Sequence, residues 1–173
     1  MKKLILIIVL AIGLNATSQI ELGLYQDVKL AVTKDDAGNT PFTTDLVFTA
    51  KMYNGGTRTY NWTHEIFVYP YLEYADLSGG TYLRYAMGLG YTFRLPLNLA
   101  ISTSFDFGLI NRPTKSVTTF SSNGIFEVSY KITPRLKVSA LNTIAQRNDL
   151  DVMWGGSHWT HSFYGGVTYL IQK

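Results

Sequence analysis

The amino-acid sequence predicts an all-β fold, an eight-stranded antiparallel up-and-down transmembrane β-barrel. Three observations predict it. Eight segments after residue 19 alternate apolar and polar side chains with the period of two that is typical of a two-faced strand. Short turns alternate with longer polar connections between these segments. The apolar faces of all eight segments contain no Asp, Glu, Lys or Arg.

The composition limits the class of protein. A chain of 173 residues is enough for one domain, and its 16% of charged residues is well below the roughly 25% of a soluble domain. No run of about 20 apolar residues could form a helical membrane span. The absence of cysteine excludes disulfides, thiolate metal ligands, a thiol nucleophile and a lipid-modified cysteine. We therefore consider two classes, a membrane β-barrel and a soluble β-protein with unusually few charges.

The first 18 residues have the order of a secretory signal peptide. The basic pair Lys2–Lys3 precedes an apolar stretch, Leu4–Leu14, and small residues follow at Ala16 and Ser18. Cleavage after residue 18 leaves a barrel domain of residues 19–173. Without the two leading lysines, the 15 basic residues fall to 13 against 12 acidic residues. This near-neutral balance argues against a nucleic-acid-binding protein, which would have a basic patch or stripe.

The bounds of the predicted strands follow from the alternation of apolar and polar side chains. The predicted strands are Glu21–Val32, Asp45–Met52, Trp62–Tyr74, Tyr82–Arg94, Asn98–Leu109, Phe126–Ile132, Leu136–Leu141 and Ser162–Ile171. Their apolar faces take every second position of Leu22–Val32, Leu46–Met52, Ile66–Leu72, Leu83–Phe93, Leu99–Leu109, Phe126–Ile132, Leu136–Ala140 and Phe163–Ile171. The third segment is the clearest, whereas the first has a polar exception at Gln26 and the seventh weakens after Leu141.

The connections also fit a barrel. Tight turns are predicted at Asn54–Thr57, Leu95–Asn98 and Thr133–Arg135, and longer polar loops at Lys34–Phe42, Ala75–Gly80, Asn111–Ser122 and Arg147–Trp159. Bacterial outer-membrane barrels have an even number of strands, short periplasmic turns and longer extracellular loops. We therefore expect four external loops and both chain ends on the periplasmic side.

The two faces must be assigned to the lumen and the lipid. A soluble barrel would turn its apolar face inward. However, eight strands enclose an interior just wide enough for side chains, and the polar face is rich in Gly, Ala and Ser. A Lys or Arg at mid-bilayer costs about 2–4 kcal/mol, which explains the absence of charge on the apolar face. The small, polar set is therefore predicted inside and the bulky, apolar set outside.

The inward faces collect charges that we expect to pair. The predicted lumen charge network is Glu21, Asp27, Lys29, Asp45, Lys51, Glu65, Glu73, Arg84, Arg94, Asp106, Glu127, Lys131 and Lys137. Isolated buried charges are costly, so a salt-bridge network that plugs the lumen is expected, with Glu73 facing Arg84 across their hairpin. Near the strand ends, Trp62, Tyr74, Phe93 and Trp159 are expected to meet the lipid headgroups.

The pattern resembles the small outer-membrane barrels of the OmpA/OmpX type over Ile20–Lys173. The stretch Ala16–Gln19 and the ending Gly166–Ile171 also resemble envelope proteins of the Bacteroidota. The resemblance implies a bacterial outer-membrane location, with lipid as the surrounding partner and the four external loops in contact with other envelope or surface components. It is unspecific for function, because this architecture carries many functions. We expect a monomer without a cofactor and with a structural or surface-interaction role.

Two other functions and a metal site are alternatives to the structural or surface-interaction role. The first is a narrow channel for small solutes, and the second a membrane-embedded lipid-modifying enzyme. An enzyme requires a nucleophile within hydrogen-bond reach of its base, but the adjacent His161 and Ser162 would point to opposite faces. His158, His161, Asp149 and Asp151 on or beside the last loop have no fixed metal-ligand spacing. We therefore predict no catalytic and no metal-binding residue.

Overall fold

Eight antiparallel strands close into one barrel in the order of the sequence. The structure is a computed structural model and describes residues 19–33, 38–59, 62–155 and 159–171. The strands are β1 Ile20–Asp27, β2 Asp45–Thr59, β3 Trp62–Leu77, β4 Gly80–Arg94, β5 Leu99–Arg112, β6 Val117–Lys131, β7 Leu136–Gln146 and β8 Trp159–Ile171. Closure is made by β1 and β8, which pair from Ile20↔Ile171 to Asp27↔Tyr164. The predicted fold class is confirmed.

The predicted signal peptide, residues 1–18, lies outside the described residues. Within the described ranges, no helix is long and apolar enough to cross a membrane.

The first predicted strand is wrong beyond residue 27. A short helix, α1 (Val28–Val32), follows β1 directly. Asp27 caps it, because its Oδ1 accepts a hydrogen bond of 2.9 Å from the backbone N–H of Leu30. The apolar alternation through Val32 suited a strand as well as one turn of helix, and the capping carboxylate decides between them.

The predicted turn at Asn54–Thr57 is also wrong. The strand β2 continues to Thr59, and its pairing with β3 shifts register between Asn54 and Gly56. This shift is a β-bulge, a feature that glycines within a strand often mark. The connection itself falls at residues 60 and 61, outside the described part of the chain.

Two of the predicted long loops are short. The third and fourth strands are joined by Ser78 and Gly79 alone, and β5 and β6 by residues 113–116, which include a 3-10 turn (Pro113–Lys115). Residues 118–120 belong to the predicted polar loop, but in the structure they lie in the first part of β6. Threonine and phenylalanine have high β-propensity, which favours the strand. The last loop contains a second helix, α2 (Asn148–Trp154).

The two ends of the barrel differ. We call the end that holds residues 28–33, 38–44, 78–79, 113–116 and 147–155 the loop end. The turn end holds residues 20, 59, 62 and 171 and the connections 95–98 and 132–135. In the usual orientation of outer-membrane barrels, the turn end is periplasmic.

The outer wall is apolar and the lumen is polar. Alternate positions such as Leu72 (43% exposed), Leu89 (59%) and Phe107 (53%) face outward. Among the described side chains of the strands, Asp76 is the one Asp, Glu, Lys or Arg on the outer face, and it lies beside the end of β3. The predicted assignment of faces therefore holds, because the charges point into the lumen and the apolar residues away from it.

Large aromatic side chains also fill the lumen, contrary to the expectation of small residues alone. Tyr25 and Tyr69 are each only 1% exposed. They fit because glycines lie beside them. A Cβ atom on Gly88 would lie 2.5 Å from the Tyr69 ring, and one on Gly166 would lie 2.5 Å from Tyr25. The small inward residues thus provide the space that the tyrosines occupy.

Candidate functional site: the charged lumen and its loop-end cover

A chain of ion pairs crosses the turn-end half of the lumen. Glu21 on β1 pairs with Lys137 on β7 and lies 3.7 Å from Lys51 on β2. Lys51 in turn pairs with Glu127 on β6. All four side chains are at least nine-tenths buried. This cluster joins strands from opposite sides of the barrel.

Two further bases line the lumen closer to the turn end. Arg94 pairs with Glu65 through its Nε and lies over the ring of Tyr53, 5.1 Å from the ring centroid. Lys131 is half-buried and lies directly opposite Lys137 in the β6–β7 pairing. Among the described residues, no carboxylate lies within ion-pair distance of Lys131.

The middle of the lumen is held by one fully buried ion pair. Arg84 on β4 pairs with Asp106 on β5, and both side chains are 0% exposed. The Arg84 Nε also donates to Ser121 Oγ at 3.1 Å, and Tyr69 donates to Asp106 at 3.2 Å. The Arg84 guanidinium lies over the ring of Tyr71, 4.8 Å from the ring centroid.

The expected pair of Glu73 and Arg84 does not form an ion pair. The two residues are register partners on β3 and β4, but Arg84 turns to Asp106. The Glu73 carboxylate is surrounded by tyrosine hydroxyls instead. Tyr71 donates to it at 3.0 Å, and the hydroxyls of Tyr82 and Tyr164 each lie 3.4 Å from a Glu73 oxygen.

A three-residue network covers the loop end. Arg147 binds Asp149 with two parallel hydrogen bonds of 2.8 Å, and Arg112 donates to the same carboxylate at 2.7 Å. Asp149 is completely buried. Arg112 also donates to the backbone carbonyl of Gly80 at 3.3 Å, and Arg147 lies over the ring of Tyr82, 4.2 Å from the ring centroid. The network therefore ties α2 to the ends of β4 and β5.

The pKa values of this cover follow from its contacts. Burial alone would raise the pKa of Asp149, but the hydrogen bonds and charge of Arg147, with those of Arg112, hold it below its ordinary value. Burial alone would lower the pKa of Arg147, but Tyr82 and Asp149 hold it above its ordinary value. Both groups are therefore charged at neutral pH, and the cover is held by ionic hydrogen bonds.

The predicted lumen charges occupy three kinds of position. Buried inside the barrel wall are Glu21, Asp27, Asp45, Lys51, Glu65, Glu73, Arg84, Asp106, Glu127 and Lys137; Arg94 and Lys131 are half-buried. Lys29 is wrongly assigned, because it lies on α1, exposed at the loop end. There it lines a cavity of about 410 Å³ together with Asp45, Asn39 and Arg147.

Sequence reasoning missed Arg112 and Arg147 as site residues and considered Asp149 only as a weak metal ligand. Arg112 was missed because residues 111–122 were assigned to a loop. The tyrosine hydroxyls were missed as partners although the alternation had already placed Tyr71 on the same face as Glu73.

Of the four predicted interfacial aromatic residues, the three whose side chains the structure describes lie toward the ends of their strands. Tyr74 (42% exposed) and Trp159 (61% exposed) face outward toward the loop end. Phe93 lies near the turn end, where its ring contacts His64 edge-on at 4.8 Å. Trp62 begins β3 at the turn end, and its side chain is outside the described part of the structure.

The histidines do not assemble a reactive site in the described residues. His161 faces outward on β8 and accepts a hydrogen bond of 2.7 Å from Asn142, whereas the adjacent Ser162 is on the inward face. His158 lies outside the described residues. Across the described ranges, no group of three His, Asp or Glu residues could hold a metal ion.

Several buried polar atoms of the lumen have no partner in the described structure. They are Asp45 Oδ1, Thr49 Oγ1, Arg84 Nη1, Arg94 Nη2, Asn123 Oδ1, Ser139 Oγ and Thr168 Oγ1. Buried polar groups of native proteins are nearly always hydrogen-bonded, to protein or to ordered water.

Comparison with known proteins gives the fold. The sequence matches no protein-family model and no curated protein. The structure is similar to that of the outer membrane protein Ail of Yersinia pestis in a phospholipid bilayer nanodisc, with a TM-score of 0.55 and 12% identity over 89% of this chain and 98% of that chain. Neisserial surface protein A matches with a TM-score of 0.46 and 11% identity over 91% of this chain and 98% of that chain. The crystal structure of Ail, the attachment invasion locus protein, matches with a TM-score of 0.45 and 13% identity over 89% and 97%.

The chain therefore has the architecture of a small eight-stranded outer-membrane β-barrel. A closed barrel leaves no unpaired strand edge, and its outer wall is apolar, as the hydrocarbon of a bilayer requires. The chain accordingly has the fold of the small outer-membrane barrels and an outer wall suited to a bilayer.

Proposed function

We propose that the protein is a structural or surface-interaction barrel, a rigid monomeric anchor whose lumen is closed to solutes. The observation that carries this proposal is the filling of the lumen. Arg84 and Asp106 are completely buried, and Tyr25, Tyr69 and Tyr71 are at most 2% exposed. A water-filled pore would leave such side chains accessible to solvent, and eight strands leave little room for one.

The loop end is the proposed contact surface. In the outer-membrane orientation it faces the outside of the cell. Phe42 (88% exposed), Val32 (69%) and Val152 (64%) are apolar side chains exposed there. Such side chains are available for contact with another protein or with lipid.

The aromatic residues near the strand ends are proposed to hold the barrel at its depth in the bilayer. Tyr74 and Trp159 would lie at the outer headgroup layer, and Phe93 and Trp62 at the periplasmic one. Amphipathic rings are enriched at both membrane interfaces, which is the basis of this assignment.

Single-channel recording tests the closed lumen. The folded protein, verified by its heat-dependent gel shift, is expected to give no conductance steps in a planar bilayer. The double variant Tyr69→Ala/Tyr71→Ala removes two lumen-filling rings and is expected to produce small, reproducible steps. Its matched control, Tyr85→Ala/Tyr130→Ala, removes two outward rings and should remain silent.

Reproducible steps from the unsubstituted protein would overturn the closed-lumen proposal and favour the second candidate, a narrow channel for small solutes. That candidate is supported by the unpartnered polar atoms along the lumen, including Thr49 Oγ1, Asn123 Oδ1 and Thr168 Oγ1, which water would satisfy.

A non-enzymatic role forms part of the proposal. The outward-facing His161 is bonded to the Asn142 amide, and its neighbour Ser162 is on the other face. A nucleophile must lie within hydrogen-bond reach of its base, and this pair does not meet that requirement.

A further inference from the structure

A small basic cavity opens at the turn end of the lumen, apart from the proposed contact surface. Its volume is about 280 Å³, and the bases Arg94, Lys131 and Lys137 line it. Ser129 and Asn98 add polar groups to its wall. The cavity is therefore of a size and charge suited to a small anion.

The charges around this cavity are unbalanced. Lys131 and Lys137 are direct register partners on the inward faces of β6 and β7, an arrangement that is destabilising for like charges. Glu21 neutralises Lys137, and Glu65 neutralises Arg94. No described carboxylate neutralises Lys131, so one positive charge remains.

Hydrogen-bond donors at the same place also lack acceptors. The Arg94 guanidinium uses Nε for Glu65, and its Nη2 is buried without a partner. The Lys131 ammonium group likewise has no ion-pair partner among the described residues and lines the cavity beside Arg94. An anion with several oxygens would accept from these two donors, and Arg and Lys are the usual ligands of phosphate.

The rim of the cavity is apolar. Leu95, Leu97 and Leu99 belong to its lining, and Leu97 is 83% exposed on the turn between β4 and β5. Basic groups beside the exposed Leu97 suit a phosphate group that carries acyl chains, while the basic groups alone would accept free phosphate.

We infer that the turn end holds a binding site for a phosphate group, formed by Lys131, Arg94 and Lys137. Lys131 supplies the unneutralised charge, and Arg94 supplies a free guanidinium N–H. The phosphate removes the repulsion between the two facing lysines. Its source is either a phospholipid headgroup or free phosphate, and this site is independent of whether the lumen conducts.

The test is a calorimetric titration of the full chain, folded in maltoside micelles without phosphate. Two probes are used, inorganic phosphate and the short-chain lipid dihexanoyl phosphatidic acid below its micelle concentration. Saturable binding of either probe is expected. Tighter binding of the lipid identifies the headgroup as the source, and equal binding identifies free phosphate.

The variant Lys131→Gln is expected to weaken binding at least about tenfold, because it removes a charge-assisted hydrogen bond. Lys131 has no ion-pair partner among the described residues, so its replacement leaves the pairs of Arg94 and Lys137 intact. Lys115→Gln makes the same change on the exposed 3-10 turn at the opposite end and should bind like the unsubstituted protein. Absence of saturable binding to both probes, or unchanged binding by folded Lys131→Gln, would overturn the site.

Discussion

The loop-end and turn-end halves of the lumen hold opposite surpluses of acidic and basic side chains. The loop-end half has the carboxylates Asp27, Asp45, Glu73, Asp106 and Asp149 and the bases Arg84, Arg112 and Arg147. The turn-end half has the carboxylates Glu21, Glu65 and Glu127 and the bases Lys51, Arg94, Lys131 and Lys137. Acids therefore outnumber bases in one half and bases outnumber acids in the other.

The two halves accommodate their surplus differently. At the loop end, Glu73 has no ion pair but is surrounded by the hydroxyls of Tyr71, Tyr82 and Tyr164. At the turn end, hydroxyl oxygens could accept from a lysine ammonium group, but no described residue is paired with Lys131 in this way. Lys131 lies half-buried at the mouth instead. The comparison teaches that the lumen satisfies its surplus acid with tyrosine hydroxyls and leaves its surplus base beside the opening.

The largest difference is expected between matched Glu→Gln variants of the two halves. Glu21→Gln removes the carboxylate that pairs with Lys137 and that also lies 3.7 Å from Lys51. The free energy of unfolding should therefore fall by about 3–5 kcal/mol. Glu73→Gln retains an acceptor for the tyrosine hydroxyls and should cost only about 1 kcal/mol. Urea unfolding followed by tryptophan fluorescence measures both. Equal losses would remove the distinction between the two halves.

An intermediate loss of local stability, measured as hydrogen-exchange protection of α2, is expected when the loop-end cover is weakened. Asp149→Asn weakens its bonds to Arg147 and Arg112, which should lower the hydrogen-exchange protection of α2 by roughly 30-fold, or about 2 kcal/mol. Asp76→Asn, on the outer surface, serves as the control and should leave α2 unchanged.

The stability of the same cover should depend on pH through Asp149. Because the folded pKa of Asp149 is depressed, its stabilisation is complete above the unfolded value of about 3.9 and is lost as the pH falls through the folded value. Protection of α2 should therefore be constant from pH 8 to about pH 5 and fall only below about pH 4. The acid step should be absent in Asp149→Asn; a step at higher pH in the unsubstituted protein would contradict the ionic account of the cover.

The smallest effect is expected for Lys131→Gln in phosphate-free detergent. Removal of one of two facing lysines should raise the free energy of unfolding by about 0.3 kcal/mol. Lys115→Gln provides the comparison for a lysine without a facing base. A loss of stability in Lys131→Gln would mean that Lys131 makes a favourable contact at the mouth.

The alternation of side chains predicted the fold well because both sides of a barrel wall impose it. It held throughout β3, β4 and β5, where every inward position faces a packed lumen. It could not locate the bulge between Asn54 and Gly56, because glycines indicate a turn and a bulge equally well. It could not end β1 at Asp27, because the choice of helix depends on one hydrogen bond to the Leu30 N–H.

The site was predictable as a set of residues but not as a set of partners. Parity alone placed Glu73, Arg84 and Asp106 inside. The choice of Asp106 by Arg84 depends on how strand tilt and stagger bring side chains together across the lumen, which no local pattern contains. Arg112 and Arg147 lay outside the predicted strands and therefore outside the predicted face.

The bonds across the lumen have a consequence for the time course of assembly. Lys137 binds Glu21, Tyr25 lies 3.3 Å from Glu127, and Tyr164 lies 3.4 Å from Asp45, so each contact joins residues more than 100 positions apart. Such distant contacts are the slowest to form. A nascent chain without its last two strands lacks the partner of Glu21 and the hydroxyl of Tyr164. The contacts of the interior are therefore complete only in a chain that contains all eight strands, with the final strand paired to the first.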